Sequence, residues 1–278
     1  MSIRKRLFLV GCPRSGTTLL QSLVAAHPDV VSFPESHFFA RLRSRRWWVN
    51  QVGLASCKAQ SHMERYFRDL CVWNTYRSHA STAMLNPGTL CKTFVNTLDD
   101  LAEEEQAQYW LEKTPRHIHY LSDIEEFVPR THIIHLLRRG EDTVASLYHA
   151  KNTYPEEWGG PISIEECCKR WERDIEISLD YHGKPGHTLV TYKELATSTE
   201  AVLRKIVDRA GFRYKTSMIR NYGQASEDVI RNDEEWKEGT KRKIEPSRSE
   251  KFRSVFNSKE RTEVANRVNE LNEIIRKL

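Results

Sequence analysis

The residues Leu7-Phe8-Leu9-Val10-Gly11-Cys12-Pro13-Arg14-Ser15-Gly16-Thr17-Thr18-Leu19-Leu20 have the types and spacing to hold an anion. Gly11 and Gly16 permit a tight turn and a close approach of backbone N–H groups to a ligand. Ser15, Thr17 and Thr18 add hydroxyls at a helix start, where N–H groups and the helix dipole favour negative charge. The spacing G-x-x-x-x-G-T-T departs from the nucleoside-triphosphate loop G-x-x-x-x-G-K-[ST] at one place: Thr17 replaces the lysine that reaches the β- and γ-phosphates. Arg14 instead offers a forked cation within the loop. Such a loop suits one phosphate with a neighbouring anionic group.

A second set of such residues lies further on. Arg138 ends the apolar run Thr131-His132-Ile133-Ile134-His135-Leu136-Leu137, and Ser146 follows eight residues later, about two turns into the next helical pattern. A guanidinium and a hydroxyl so placed can share one phosphate. Two anion sites on neighbouring strand–helix turns fit a nucleotide phosphorylated at both ends.

The elements needed to position these groups alternate strand and helix. The loop joins a strand over 7–10 to a helix ending near Ala26, and His27-Pro28 stops that helix. Val30-Val31-Ser32-Phe33 reads as a second strand, and Pro34-Glu35-Ser36 is expected to open a helix with Phe38, Phe39 and Leu42 on its apolar stripe. Glu35 then stands at the ligand-facing edge of an open sheet. Tyr109-Trp110-Leu111-Glu112 reads as a strand leading into Lys113-Thr114-Pro115, and a helix is expected over 118–127. The run 131–137 is nearly all apolar, as a strand buried on both faces should be. A helix follows Gly140, with Val144, Leu147 and Tyr148 inward. Helices at 163–182 and 201–210 flank a strand at 187–191, and a helix from 258 turns Val264, Val268, Leu271, Ile274 and Ile275 inward. Cys167 and Cys168 are expected on different faces of theirs. Residues 41–100 show no compact strand–helix repeat and read as helices capping the sheet edge and shaping an acceptor pocket, with Trp47, Trp48 and Trp73 among its walls. The fold expected is α/β: a P-loop-like central parallel sheet flanked by helices, one domain over 1–278, with a basic segment and C-terminal helix at about 223–278.

Taken together these motifs resemble the sulfotransferase family, which uses 3′-phosphoadenosine-5′-phosphosulfate (PAPS). Pro13-Arg14-Ser15-Gly16-Thr17-Thr18 resembles its 5′-phosphosulfate loop, Arg138 through Ser146 its 3′-phosphate motif, and Thr191-Tyr192-Lys193-Glu194-Leu195 the segment whose Tyr lies near the adenine. The resemblance spans about residues 7–212. Arg-Ser-Gly-Thr-Thr followed by Ala26-His27-Pro28-Asp29-Val30 is closest to the tyrosylprotein and bacterial branch. That branch implies Glu35 as catalytic base and Lys113, in Glu112-Lys113-Thr114-Pro115, as a cation at the transferred sulfonate. The glycine-rich motif that closes over the nucleotide in cytosolic members is missing, and Lys243, Arg248 and Lys251 are candidates for a replacement, none of them assigned.

The resemblance implies an in-line transfer of a sulfuryl group to a hydroxyl acceptor. PAPS is the co-substrate, the 3′,5′-bisphosphate PAP the product, and no metal is required. Arg14 joins Glu35 and Lys113 in catalysis. Arg14, Ser15, Gly16, Thr17, Thr18, Arg138, Ser146 and Tyr192 hold the nucleotide. His27, His117, His119 and His149 are rival bases whose places suggest capping or surface roles. Two other classes remain: a kinase or switch dependent on nucleoside triphosphates, against which Thr17 and the Arg138/Ser146 pair argue, and a non-catalytic nucleotide binder, against which Glu35 and Lys113 argue.

Composition sets the outer bounds. The chain has 278 residues, 39% hydrophobic and 29% charged, with formal net charge +5. That balance suits a small polyanion or an acidic acceptor better than nucleic acid, which calls for a concentrated basic patch. No apolar run approaches a membrane-spanning length. Arg4-Lys5-Arg6 before Leu7-Phe8-Leu9-Val10-Gly11-Cys12 mimics a lipoprotein leader, but its apolar core is short, and a cytoplasmic location is expected. The six cysteines have no metal-ligand spacing and read as reduced, apolar side chains. The acceptor, a small molecule, glycan, lipid or peptide, is left open, as is a homodimer.

Overall fold

In the computed structural model, which describes residues 2–44, 46–51, 53–80, 86–229 and 249–278, five parallel strands form one sheet in the order β2-β3-β1-β4-β5. The strands are β1 (Lys5–Val10), β2 (Val30–Phe33), β3 (Tyr109–Lys113), β4 (Thr131–Leu137) and β5 (His187–Thr191). Among the described residues the helices before β3 are α1 (Thr17–Ala25), α2 (Phe39–Leu42), α3 (Trp47–Gln51), α4 (Ala59–Asp69), α5 (Trp73–His79) and α6 (Pro87–Glu104). A 3-10 helix at Pro115–Tyr120 and α7 (Leu121–Phe127) separate β3 from β4, and α8 (Gly140–Thr153) and α9 (Ile164–Asp180) separate β4 from β5. Then come α10 (Tyr192–Thr197), α11 (Thr199–Ala210), α12 (Ser217–Arg220), α13 (Tyr222–Val229), α14 (Glu250–Val255) and α15 (Ser258–Arg276).

Side chains alternate across each strand, so one strand feeds two cores. Phe8 and Val10 join Phe33, Trp110 and Ile133 under α4, α6 and α7. Leu7 and Leu9 join Leu111, Ile134 and Val190 against α1 and α11. A third cluster lies under α8, α9 and α15, around Trp171 and Val268. Helix α6 is tied to the sheet by a polar knot at Asp99. Arg6 donates to both Asp99 oxygens at 3.1 and 2.5 Å, and Trp110 Nε1 donates to Asp99 Oδ1 at 2.8 Å. Arg6, part of the leader-like basic run, is thus a buried structural residue of β1.

The topology sets where a ligand sits. From β1 the chain crosses by α1 toward β2, whereas from β4 it crosses by α8 and α9 to β5 on the other side. The adjacent strands β1 and β4 therefore flank a topological switch point, where open α/β sheets place ligands at the carboxyl ends of the strands.

Five expectations need correction. Residues 34–38 are an irregular loop rather than a helix start, and the helix begins at Phe39. Long-range hydrogen bonds hold the loop's polar groups, so it has no need of helical ones. The segment 118–127 is split into a 3-10 turn and α7. His117 is fully buried beside Glu112, not at the surface. Cys167 and Cys168 share one core, because α8 and α15 both pack on α9 and bury a wide face of it. Ile274 is 40% exposed, because α15 turns Val264, Val268 and Ile275 to its packed face and Ile274 lies off that stripe. All six cysteines are free thiols. Among the described residues no helix is long and apolar enough to cross a membrane.

Candidate active site

Every strand end contributes a group. After β1 the backbone of Ser15 donates to Cys12 O at 3.1 Å, closing a tight loop. Three loop residues take positive φ: Gly11 at 153°, Arg14 at 75° and Gly16 at 99°. Gly16 is required twice over: L side chains avoid this conformation, and a Cβ there would lie 2.6 Å from the Tyr192 ring. Gly11 is close-packed too; a Cβ would stand 2.5 Å from Leu136 O on β4. Ser15 Oγ is fully buried and makes no hydrogen bond within the described protein. A buried hydroxyl without a partner is costly unless something supplies one.

After β4, Trp171 Nε1 on α9 donates to Arg138 O at 2.9 Å and fixes the strand end. Arg138 Nη1 donates to Arg14 O at 3.3 Å, and its guanidinium lies 4.3 Å from the centre of the Tyr192 ring. Arg14 Nε donates to Ser146 Oγ on α8 at 3.2 Å, and Arg14 also lies 5.8 Å from the Trp158 ring. The loop and the Arg138/Ser146 pair, more than 120 residues apart in sequence, are thus one interlocked unit. Tyr192 is set by a capping box: Thr191 Oγ1 accepts from Glu194 N–H at 3.1 Å and Glu194 Oε2 accepts from Thr191 N–H at 2.9 Å. Burial, and then the charge of Arg138, lower the Arg14 guanidinium to about 10. Lys251 on α14 is lowered by burial and by the charges of Arg14 and Arg138. Three cations converge on one place, an arrangement that asks for an anion. Lys243 and Arg248 lie outside the described residues.

The second half of the site sits after β2 and β3. Lys113, 1% exposed at the end of β3, forms an ion pair with Glu35 Oε1. His37, at φ 50°, places Nε2 3.6 Å from the other Glu35 oxygen. Sequence reasoning did not find the group beneath this pair. Glu112 is completely buried. Its Oε1 accepts from Ser36 N–H at 2.9 Å, Ser36 Oγ at 2.9 Å and Thr114 Oγ1 at 2.5 Å, and His117 Nδ1 lies 3.0 Å from Oε2. The visible signal was a charged pair, Glu112-Lys113, inside an otherwise apolar strand. The other rival bases are accounted for differently: His27 caps a turn, accepting from Asp29 N–H at 3.1 Å, His119 pairs with Asp174 at 3.0 Å, and His149 is exposed.

Comparison with known proteins places this sheet and its flanking helices in a family. The model of the sulfotransferase family matches residues 6–216. The chain belongs to the sulfotransferase family. It is 25% identical over 213 residues to the protein-tyrosine sulfotransferase of Drosophila melanogaster, a match covering 72% of this chain and 37% of the fly protein; the chain thus spans little more than a third of that relative. Its fold is that of the sulfotransferase domain of the Synechococcus PCC 7002 olefin synthase (TM-score 0.62, 19% identity, 96% of this chain and 95% of that one). It is also shared with mouse sulfotransferase SULT7A1, solved in complex with PAP (TM-score 0.52, 12% identity, 99% and 88%).

Proposed function

We propose that this chain transfers a sulfuryl group from PAPS to a hydroxyl acceptor. One observation carries the reading: an anion cradle on β1 and β4 and a carboxylate–lysine pair on β2 and β3 open at the same end of one sheet. The residues fit the nucleotide. The partnerless Ser15 hydroxyl, the left-handed Gly16 and the convergent Arg14, Arg138 and Lys251 together form a polyanion site. Ser15, Gly16, Thr17 and Thr18 take the 5′ end at the N-terminus of α1. Arg138 and Ser146 take the 3′-phosphate, with Arg14 between the two, and Tyr192 lies against the base.

When bound, the nucleotide supplies an activated sulfuryl group on a phosphate leaving group. The protein supplies position, charge and a proton acceptor. Glu35 takes the proton of the acceptor hydroxyl. Lys113, paired with Glu35 at rest, offers its charge to oxygens that become more negative in the transition state, and Arg14 does the same from the loop side. The helices of 41–100 border the Glu35 loop through α4, and we assign acceptor choice to them; Trp48, 51% exposed on α3, is a candidate wall.

The test is Glu35→Gln. Sulfate transfer from labelled PAPS to a panel of phenols, sugars and tyrosine peptides should fall by at least about 100-fold, with PAP binding by calorimetry unchanged. Turnover at the parent rate would remove Glu35 as base. Binding of ATP with Mg²⁺ in preference to PAP would instead support the triphosphate-dependent reading.

A further inference from the structure

The dipeptide Glu112-Lys113 holds Glu35 at two points. Neighbouring strand residues point to opposite faces, so the two side chains reach the Glu35 loop by different routes. Lys113 takes the Glu35 carboxylate itself. Glu112 takes the next residue: the Ser36 N–H and hydroxyl both donate to its Oε1. Glu112 is level with Phe33 on one side and Phe8 on the other, an apolar setting in which a carboxylate persists only when paired and hydrogen-bonded. His117 and Thr114 complete its bonds. Burial alone would raise its pKa; the charge interaction with His117 and the bonds from His117, Thr114 and Ser36 outweigh this and lower it. Glu112 is therefore ionised at neutral pH and its acceptor strength is at its greatest. Helix α4 grips the loop from the far side, with His62 Nε2 2.7 Å from Ser36 O and Tyr66 Oη donating to Pro34 O at 3.1 Å. The loop has no helix of its own to hold it, and Glu35 follows a proline outside any helix or strand.

We infer that Glu112 is a positioning residue for sulfuryl transfer: its carboxylate anchors the Ser36 backbone and hydroxyl and so fixes the Glu35 carboxylate at Lys113. This rests on the reading of Glu35 as base. The nucleotide cradle belongs to β1 and β4, so the effect falls on turnover and spares donor binding. Displacing a catalytic group by an ångström costs rate steeply.

The experiment compares Glu112→Gln, Ser36→Ala, their double variant and Glu35→Gln. In each, kcat is expressed per PAP-binding site counted by titration, with KM for PAPS measured alongside. Glu112→Gln is expected to lower kcat per site by at least about tenfold, with KM for PAPS within about twofold. Ser36→Ala is expected to lower it less, and the double variant should resemble Glu112→Gln alone, because both act through one contact. Parent kcat per site in Glu112→Gln, with loss seen only as fewer binding sites or a lower melting point, overturns the inference, as do effects of the two single variants that simply multiply. If Glu112→Gln does not fold, Ser36→Ala decides: an unchanged kcat overturns the inference. An inactive Glu35→Gln beside a fully active Glu112→Gln refutes this inference alone, whereas an active Glu35→Gln refutes the reading of the base itself.

Discussion

One added methyl group tests how the anion cradle is built. Gly16→Ala places a Cβ 2.6 Å from one carbon of the Tyr192 ring and 2.7 Å from another, on a residue at φ 99°. The left-handed backbone alone costs an L residue about 1–2 kcal/mol. The clash adds a second cost, because a well-packed ring must shift, typically about 1–3 kcal/mol. The sum is about 2–5 kcal/mol, which at roughly 2 °C per kcal/mol for a chain of this length lowers the melting point by about 4–10 °C. The displaced ring is the one stacked on Arg138, which in turn bonds Arg14 O. PAP affinity, measured by calorimetry at a temperature where the variant is folded, should therefore fall by more than about tenfold. Adding Tyr192→Ala removes the clash but not the backbone strain. The stability cost of Gly16→Ala measured in that background should shrink to about 1–2 kcal/mol. A variant that melts and binds PAP like the parent would refute the idea that Gly16 and Tyr192 jointly shape the loop.

Ser146→Ala removes the acceptor of the Arg14 Nε bond and one hydroxyl of the 3′-phosphate pair; it should weaken PAP by about tenfold and leave AMP, which lacks that phosphate, within about twofold on the same calorimeter. Acid should destabilise the fold through the sheet histidines. Burial first, and neighbouring positive groups second, lower His132 to about 4 and His135 to about 3, from an ordinary 6.5. Between those values and 6.5 the unfolded chain binds more protons, so stability is lost as pH falls, about 1.4 kcal/mol per pH unit for each histidine. At about pH 5.5 the pair removes up to about 2.7 kcal/mol, visible as a lower urea midpoint than at about pH 7.5. His135→Gln should remove about half of that slope, and an unchanged slope would refute the assignment.

What was legible in the sequence was local. The β1 loop declares itself through Gly11, Gly16 and the missing lysine, and β4 through an apolar run too long for a half-buried strand. Ser146 was legible by its spacing from Arg138. Sheet order was not, because β3 enters between β1 and β2 with no local mark that parallel pairing leaves in a strand. The Glu35 loop was misread for a specific reason. Phe38, Phe39 and Leu42 have helical spacing, and Pro34 is a good helix opener, but the backbone of Ser36 is satisfied by Glu112, 76 residues away, and by His62. No window along the chain contains both halves of those bonds. The contact of Arg14 with Ser146 was missed likewise; the sequence assigned the two to different ends of a nucleotide, and the structure joins them.

Among the described residues Lys251 is a C-terminal cation on which the charges of Arg14 and Arg138 act, and its replacement makes a sharp prediction. It lies on α14, which packs against α8, and is exposed. Its ammonium is nonetheless disfavoured, by burial of the amine and then by the charges of Arg14 and Arg138. Without an anion the three positive groups repel; with one they cooperate. A residue kept for packing should do the opposite of a residue kept for the ligand. Lys251→Met retains the apolar stem and removes the charge. If Lys251 serves the nucleotide, the ligand-free variant melts no lower than the parent, PAP binds about tenfold more weakly in low salt, and the gap narrows as salt screens the parent's advantage. Melting curves without ligand and PAP titrations at two salt concentrations measure both quantities. A variant that melts lower yet binds PAP as well as the parent at both salt concentrations would return Lys251 to the packing of α14 and leave the closing cation to be sought elsewhere.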